Sequence, residues 1–218
     1  MLSDESIAVI ERFWAADLDC KVEDLRGEKV IVTRRSGGPG VFILARRDVL
    51  TVPSGVYLDY MLGPAFIGYA DAGTFVGGDD AEACALDDAD DAAIAGLHSS
   101  CSTRDWEHGG PKSDATARIG VFKDGTLAAL ASYNIWGDRI AHISIISHPL
   151  FRRGGLGRIA VSAITRHALD NNLVAQYRTL ASNTPSLAIA KRLGFQQYAY
   201  NLVIQLDQAS APPSGSSA

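Results

Sequence analysis

Residues 148–158 read HPLFRRGGLGR. The stretch follows an apolar run, IAHISII at 140–146, and leads into a second apolar pattern that begins at Leu156. Ile140–Ser147 is rich in β-branched residues and predicts a strand. Leu156, Ile159, Ala160, Ala163 and Ile164 recur at three- and four-residue spacing and predict a helix over 156–168. Between the two lie Arg152, Arg153, Gly154, Gly155, Gly157 and Arg158. A glycine-rich loop opening a helix offers unpaired N–H groups, partial positive charge and close backbone approach. With arginines beside it, that is the chemistry of a phosphate cradle. It is not a P-loop, because GK[ST] is missing. GLGRIA at 155–160 fits G-x-G-x-x-A, the dinucleotide pattern. Against that reading, residues 148–153 separate strand from glycines, and the next strand, LVAQYRTLAS, carries no acid to hold a ribose.

Working outward, Ala81–Leu86 predicts a short strand, and Asp87 or Asp88 caps a helix through about His98. Ser102–Glu107 predicts a second short helix. Ala117–Lys123 and Thr126–Tyr133 flank Asp124-Gly125, a two-residue hairpin signal. Leu173–Ala181 predicts a strand and Pro185–Leu193 a helix, with Thr184 as cap and Pro185 at the first position. Phe195–Leu206 predicts a last strand. Before residue 78, residues 4–17 predict a helix through Ile7, Ile10 and Trp14. Glu28–Arg35 and Val41–Val52 predict strands, and Pro53-Ser54 starts a short helix through Leu62. Residues 65–76 are glycine-rich and fit no single element. The fold class is mixed α/β.

Composition excludes several classes. The 218 residues are 47% hydrophobic with net charge −5, ordinary for a globular protein and wrong for the basic face of a nucleic-acid binder. No apolar run reaches the roughly 18 residues of a membrane span. MLSDESIAVIERF lacks a signal-peptide pattern, and three scattered cysteines make no disulfide framework, so a reducing cytoplasm is expected. His98, Cys101 and His108 match no metal spacing, and no metal is expected. The seven acids from Asp79 to Asp91 read as a capped, solvated helix start rather than a funnel for a cationic substrate.

Read as R-x-x-G-x-G, Arg152 to Gly157 resembles the acyl-CoA pyrophosphate motif of the GNAT N-acetyltransferase superfamily. IAHISIISHPLFRRGGLGRIAVSAITRHAL resembles that family's central strand, loop and helix. ASNTPSLAIAKRLGFQQY resembles its downstream signature, through Asn183, Ser186, Ala190 and Leu193-Gly194-Phe195. The resemblance covers about 80–206. It implies a central mixed sheet flanked by helices, with acetyl-CoA as co-substrate. The central strand would splay from its neighbour, and a pantetheine arm would lie in the gap along Ile145, Ile146 and Ser147. The loop from Arg152 and Arg153 through Gly154, Gly155, Leu156, Gly157 and Arg158 would hold the diphosphate. Asn183 and Ser186 would lie beside the arm.

The implied reaction is direct attack of an amine, from a small molecule or a peptide, on the thioester. Many family members place an acid on the central strand; here His142 and Ser144 occupy such positions, and His142 is either a base or a hydrogen-bonded core histidine. Glu107, in DWEHGG at 105–110, would meet the acceptor's ammonium, and Trp106 would pack on the acceptor or staple its helix. The family's tyrosine seven residues after the asparagine is replaced by Ala190, with Tyr198 and Tyr200 as distant stand-ins. A non-catalytic acyl-CoA-binding regulator and a nucleotide-dependent oxidoreductase remain as rivals. Residues 1–78 form an expected N-terminal α/β segment docked on a GNAT-like core at 79–207. That segment is either a lid over the acceptor site or an oligomer contact, which would make the chain a homodimer. Residues 208–218 are expected to be a disordered tail.

Overall fold

A computed structural model of the chain describes residues 1–26, 31–34, 40–45, 58–78 and 80–206. Nine strands form one sheet: β1 (Ile31–Arg34), β2 (Gly40–Ala45), β3 (Leu58–Ala70), β4 (Ala83–Ala85), β5 (Ala117–Lys123), β6 (Thr126–Trp136), β7 (Ile140–Ser147), β8 (Val174–Leu180) and β9 (Gln196–Leu206). Their spatial order is β1-β2-β9-β3-β8-β7-β6-β5-β4. Only β7 and β8 run parallel; every other neighbouring pair is antiparallel. Six α-helices flank the sheet: α1 (Asp4–Asp17), α2 (Val22–Leu25), α3 (Asp91–Ser100), α4 (Thr103–Gly109), α5 (Leu156–Asp170) and α6 (Thr184–Arg192). The mixed α/β class is as expected.

Side chains alternate across a strand, and the two faces of β6 and β7 meet different partners. Ala129, Ala131, Tyr133, Ala141 and Ile143 pack with Ala160, Val161 and Ile164 of α5. Leu130 and Ile146 point the other way, against Leu97 of α3 and Trp106 of α4. On that same face Ile140 meets Ile10 and Trp14 of α1, together with Ile67, Tyr69, Val174 and Tyr198. The α1 helix starts where Ser3 caps it by accepting from Ser6 N, and Ser3 N donates to Asp71 Oδ2 at 2.7 Å, pinning the helix to the end of β3. Asp124 (φ 49°) and Gly125 (φ 75°) form the β5–β6 turn, both in the left-handed region that a two-residue hairpin requires.

The expectation that a core is complete from residue 79 onward does not match the sheet. β3 lies between β8 and β9 and pairs with both, from Ala65↔Leu180 to Ala70↔Ala175 and from Leu58↔Leu206 to Tyr69↔Gln196. Residues before 78 therefore supply an interior strand, and the boundary near Gly77-Gly78 cuts through one sheet. Leu58–Leu62 is strand rather than helix, and β3 resolves the glycine-rich stretch as far as Ala70. The α6 cap is Asn183, whose side chain accepts from Ser186 N, not Thr184. Expectations for residues 46–57 and for the tail fall outside the described residues.

Candidate active site

The strand that carries the site has two ends with different neighbours. β7 pairs with β6 along its whole length, Ile140↔Trp136 to Ser147↔Ala129. Its parallel pairing with β8 runs only from Ile140↔Val174 to Ile143↔Tyr177. Beyond that rung, Arg178–Leu180 keeps only the partner on its other edge, β3. The sheet is thus open between Ser144–Ser147 and Arg178–Leu180. Val174 N donates to Arg139 O at 2.8 Å, so alternation turns the backbone groups of Ile143, Ile145 and Ser147 toward β8. Those of Ile145 and Ser147 are on the side of the opening. Ile146 does not: its backbone turns to β6 and its side chain is buried beside α3 and α4.

The loop follows directly. His148 caps a short turn of 3-10 helix, Pro149–Phe151, by accepting from Leu150 N. Arg153 then takes φ 68° and Gly155 φ 84°. Gly155 is the N-cap of α5 and brings no side-chain cap, so the first N–H groups of the helix keep the unsatisfied character of a helix start. A Cβ at Gly155 would meet nothing within 4 Å. At Gly157 the space is closed: a Cβ would lie 3.0 Å from Ser147 Oγ, which is why the start of α5 can press against the end of β7. The open cradle at Gly155, the helix start and a β7 edge that no strand covers suit a diphosphate joined to an extended arm, although on that edge Ser147 O already accepts from Arg152 Nε at 3.3 Å and Gly109 lies against Ile145 O.

The three arginines do not act alike. Arg153 is exposed, and among the described residues nothing pairs with its guanidinium. Arg152 is turned onto the other side, with Nη2 on Asp105 Oδ2 at 2.9 Å and Nε on Ser147 O at 3.3 Å. That contact holds the Asp105 carboxyl below the usual carboxylate range. Arg158 lies against the backbone at Gly78, where a Cβ would come within 2.7 Å of its Nη1. Arg152 and Arg158 thus have neighbours outside the loop, and Arg153 is the arginine left facing solvent beside the start of α5. Across the opening, Asn183 spends its side-chain oxygen on Ser186 N, and Ser186 Oγ lies 2.7 Å from the Tyr177 hydroxyl. Burial pushes the Tyr177 pKa up to about 12, so the phenol keeps its proton at neutral pH.

The catalytic candidates do not converge. His142 and Ser144 share the face of β7 that looks toward α1 and α4, but Glu107 is exposed on α4, and no hydrogen bond among the described residues joins it to either. His142 is a packed histidine. Its Nδ1 lies 2.6 Å from the Gln176 side-chain amide, and Trp136 stacks on its ring at 3.7 Å, 14° from parallel. Burial pushes its pKa down to about 4, and Arg178 and Lys112 push the same way. With Nδ1 on Gln176 and Trp136 stacked on its face, the ring fits the hydrogen-bonded core reading better than the base reading. Trp106 stacks on His98 at 4.1 Å and packs on Leu130 and Ile146, a stapling role. Ala190 is fully buried, and Tyr198 packs edge-on against Tyr69 on the α1 face, away from α6. Acids of the 79–91 stretch cap and pair: Asp87 caps, Asp88 and Asp91 meet Arg118, and Asp80 meets Arg166. Tyr69, Gln176 and Tyr177 escaped the sequence reading, and Trp14 was read only as part of the face of the first helix. The alternation of LVAQYRTLAS puts Gln176 and Tyr177 on opposite faces, but nothing in the sequence says which strand lies beside them.

Residues 118–202 match the family model described as GNAT acetyltransferase. No curated protein matches the chain. Among solved structures, a GNAT-family protein from Novosphingobium aromaticivorans DSM 12444 superposes with TM-score 0.54 at 20% identity, over 78% of this chain and 75% of that one. A GCN5-related N-acetyltransferase from Kribbella flavida gives 0.53 at 17% identity, over 96% of each chain. A GCN5-related N-acetyltransferase-like protein from Streptococcus suis 89/1591 gives 0.50 at 14%, over 92% of this chain and 98% of that one. At these identities the likeness is one of fold. No helix among the described residues is long and apolar enough to cross a membrane. Residues 118–202 thus match a GNAT acetyltransferase family model and lie in a sheet with the fold of solved GNAT-family structures.

Proposed function

We propose that this chain transfers an acetyl group from acetyl-CoA to the amine of a small molecule or peptide, by direct attack. The observation that carries the reading is the opening between β7 and β8, with a helix start at its mouth. The N–H groups from Arg153 to Gly157 and the Arg153 guanidinium hold the diphosphate. The backbone of Ile145 and Ser147 pairs with the pantetheine arm as an added strand would. Asn183 and Ser186, at the start of α6, line the other side. When bound, acetyl-CoA supplies an activated thioester carbonyl. The chain's own contribution is to orient that carbonyl and to leave the face of Ser144 open to a neutral amine. Free thiols at Cys20, Cys84 and Cys101 suit a reducing compartment such as the cytoplasm.

The test is thiol release from acetyl-CoA across a library of amines and peptides, with mass detection of the acetylated product. The expected result is release that depends on an amine. Tight acetyl-CoA binding with no product from any amine would favour a binding regulator, and binding of NAD in its place would favour a nucleotide enzyme.

A further inference from the structure

A buried polar chain crosses the sheet from the N-terminal helix to β7. Trp14 Nε1 donates to the Tyr69 hydroxyl at 2.7 Å. The side-chain amide of Gln176 lies 2.5 Å from the same hydroxyl and 2.6 Å from His142 Nδ1. Trp14, Tyr69 and Gln176 are each at most 1% exposed, and the chain joins α1, β3, β8 and β7. As placed, Gln176 Nε2 donates to Tyr69 and Oε1 faces His142. Amide O and N are exchanged by a half-turn, so the assignment rests on the protons.

Indole N–H only donates, so the Tyr69 oxygen accepts from Trp14. The hydroxyl's own proton then needs an acceptor, and among the described residues its remaining partner is the Gln176 amide. If that amide turned its nitrogen to Tyr69, the hydroxyl proton would be buried and unsatisfied, which is unfavourable. A separation of 2.5 Å also belongs to O–H···O rather than N–H···O geometry. With the amide turned over, Tyr69 donates to Gln176 Oε1, and Gln176 Nε2 donates to His142 Nδ1. The neutral ring then carries its proton on Nε2, the nitrogen that the chain leaves uncommitted.

We propose that Trp14, Tyr69 and Gln176 are positioning residues that fix the His142 ring with its proton on Nε2, as a hydrogen-bond donor to an oxygen of the substrate on the α1 and α4 side of the sheet. His142 stands one residue before the rung, Ile143↔Tyr177, at which β7 and β8 part. A donor at that place suits an oxygen that bears negative charge, and Arg178 and Lys112 add positive charge around it. Trp136 holds the ring from its face. The role gives the segment before residue 78 a part in the acceptor side, and it rests on the acetyl-transfer reading only for the identity of that oxygen.

The tautomer is read on the full chain by two-bond 1H–15N correlation spectra of the His142 ring, with no turnover required. The expected result is a neutral Nε2–H ring from about pH 5.5 to about pH 8. Tyr69→Phe should give a mixture of tautomers, and Gln176→Glu should move the proton to Nδ1, because a carboxylate only accepts. An Nδ1–H ring in the wild type overturns the proposal, as does a ring that protonates above pH 6, or a tautomer indifferent to both substitutions. Where an amine substrate is in hand, His142→Gln keeps an N–H donor and should stay within about tenfold of wild-type kcat. His142→Glu should lose about 10²-fold, the scale of one donor to a developing oxyanion. A His142→Glu enzyme as active as His142→Gln would overturn the donor role while leaving the acetyl-transfer reading intact.

Discussion

The two ends of β7 are eight residues of one strand with opposite fates. From Ile140 to Ile143 it is zipped to β8, and on the α1 face Ile140 and His142 are packed against Trp14, Trp136, Tyr69 and Gln176. From Ser144 to Ser147 the β8 side is open, and the loop that follows places a glycine at the start of a helix with empty space beside it. The closed end is built by side chains from distant parts of the chain. The open end is built by backbone and by one local stretch of sequence. With the packing concentrated at the first and the proposed acyl-CoA site at the second, substitutions at the two ends should separate folding from affinity.

The largest effect expected is from removing β3, the strand that backs the β8 wall of the opening. A chain beginning at Asp79 loses β3 from between β8 and β9 and leaves both without their partner. It should fail to fold, giving no cooperative thermal transition and no native circular dichroism. A folded, monodisperse product would show that β8 and β9 close the gap by themselves.

Next in size, Trp14→Ala removes a side chain only 1% exposed and strips Tyr69 of a donor. A loss of about 3–5 kcal/mol in denaturant unfolding is expected, with acetyl-CoA affinity kept wherever the protein remains folded. Equal losses of stability and affinity would mean that the two ends are not independent.

The pH dependence of stability sharpens the same contrast. The folded pKa of His142, about 4, lies below the ordinary value of 6.5. On acidification the unfolded chain takes up this proton first, so stability falls as pH drops from about 6.5 through about 4, and is fully present above that window. His142→Gln should flatten that slope by about 1–3 kcal/mol, discounted for the ring's partial exposure. An unchanged slope between wild type and His142→Gln would place the acid sensitivity elsewhere.

The smallest effect expected is at Arg152. Its contact with Asp105 joins two half-exposed groups, and such pairs contribute about 0–1 kcal/mol. Arg152→Ala should barely move acetyl-CoA affinity in calorimetry, whereas Arg153→Ala should weaken it, with the loss greatest at low salt. The reverse order would restore Arg152 to the diphosphate.

How much the sequence revealed follows the same division. The open end lies within one local stretch: RRGGLGR is contiguous, and the alternation of IAHISIIS predicts which side chains share a face of β7. Helix α1 was legible from Ile7, Ile10 and Trp14, down to its ends at Asp4 and Asp17. The closed end was not legible, because it depends on register between strands far apart in the chain. Tyr69 reaches Gln176 only because β3 slots between β8 and β9, and the glycines of residues 65–76 hid that strand. His142 was correctly placed on its face, but its partners were invisible, so a packed ring read equally well as a base. The three arginines could not be told apart in the sequence for a related reason: three charges in seven residues look alike until Asp105 and Gly78 arrive beside two of them.

The central claim is that the open end of β7 and the start of α5 hold an acyl-CoA. Isothermal titration of acetyl-CoA into wild type and Gly155→Asp tests it most directly. A Cβ at Gly155 meets no atom within 4 Å, and aspartate is among the residues that tolerate a positive φ, so the substitution leaves the fold in place while putting a carboxylate where the diphosphate would sit. Saturable binding by wild type and loss of at least about 10²-fold in the folded variant, equivalent to about 2.7 kcal/mol, is the result predicted. Equal affinities in the two folded proteins would contradict the account.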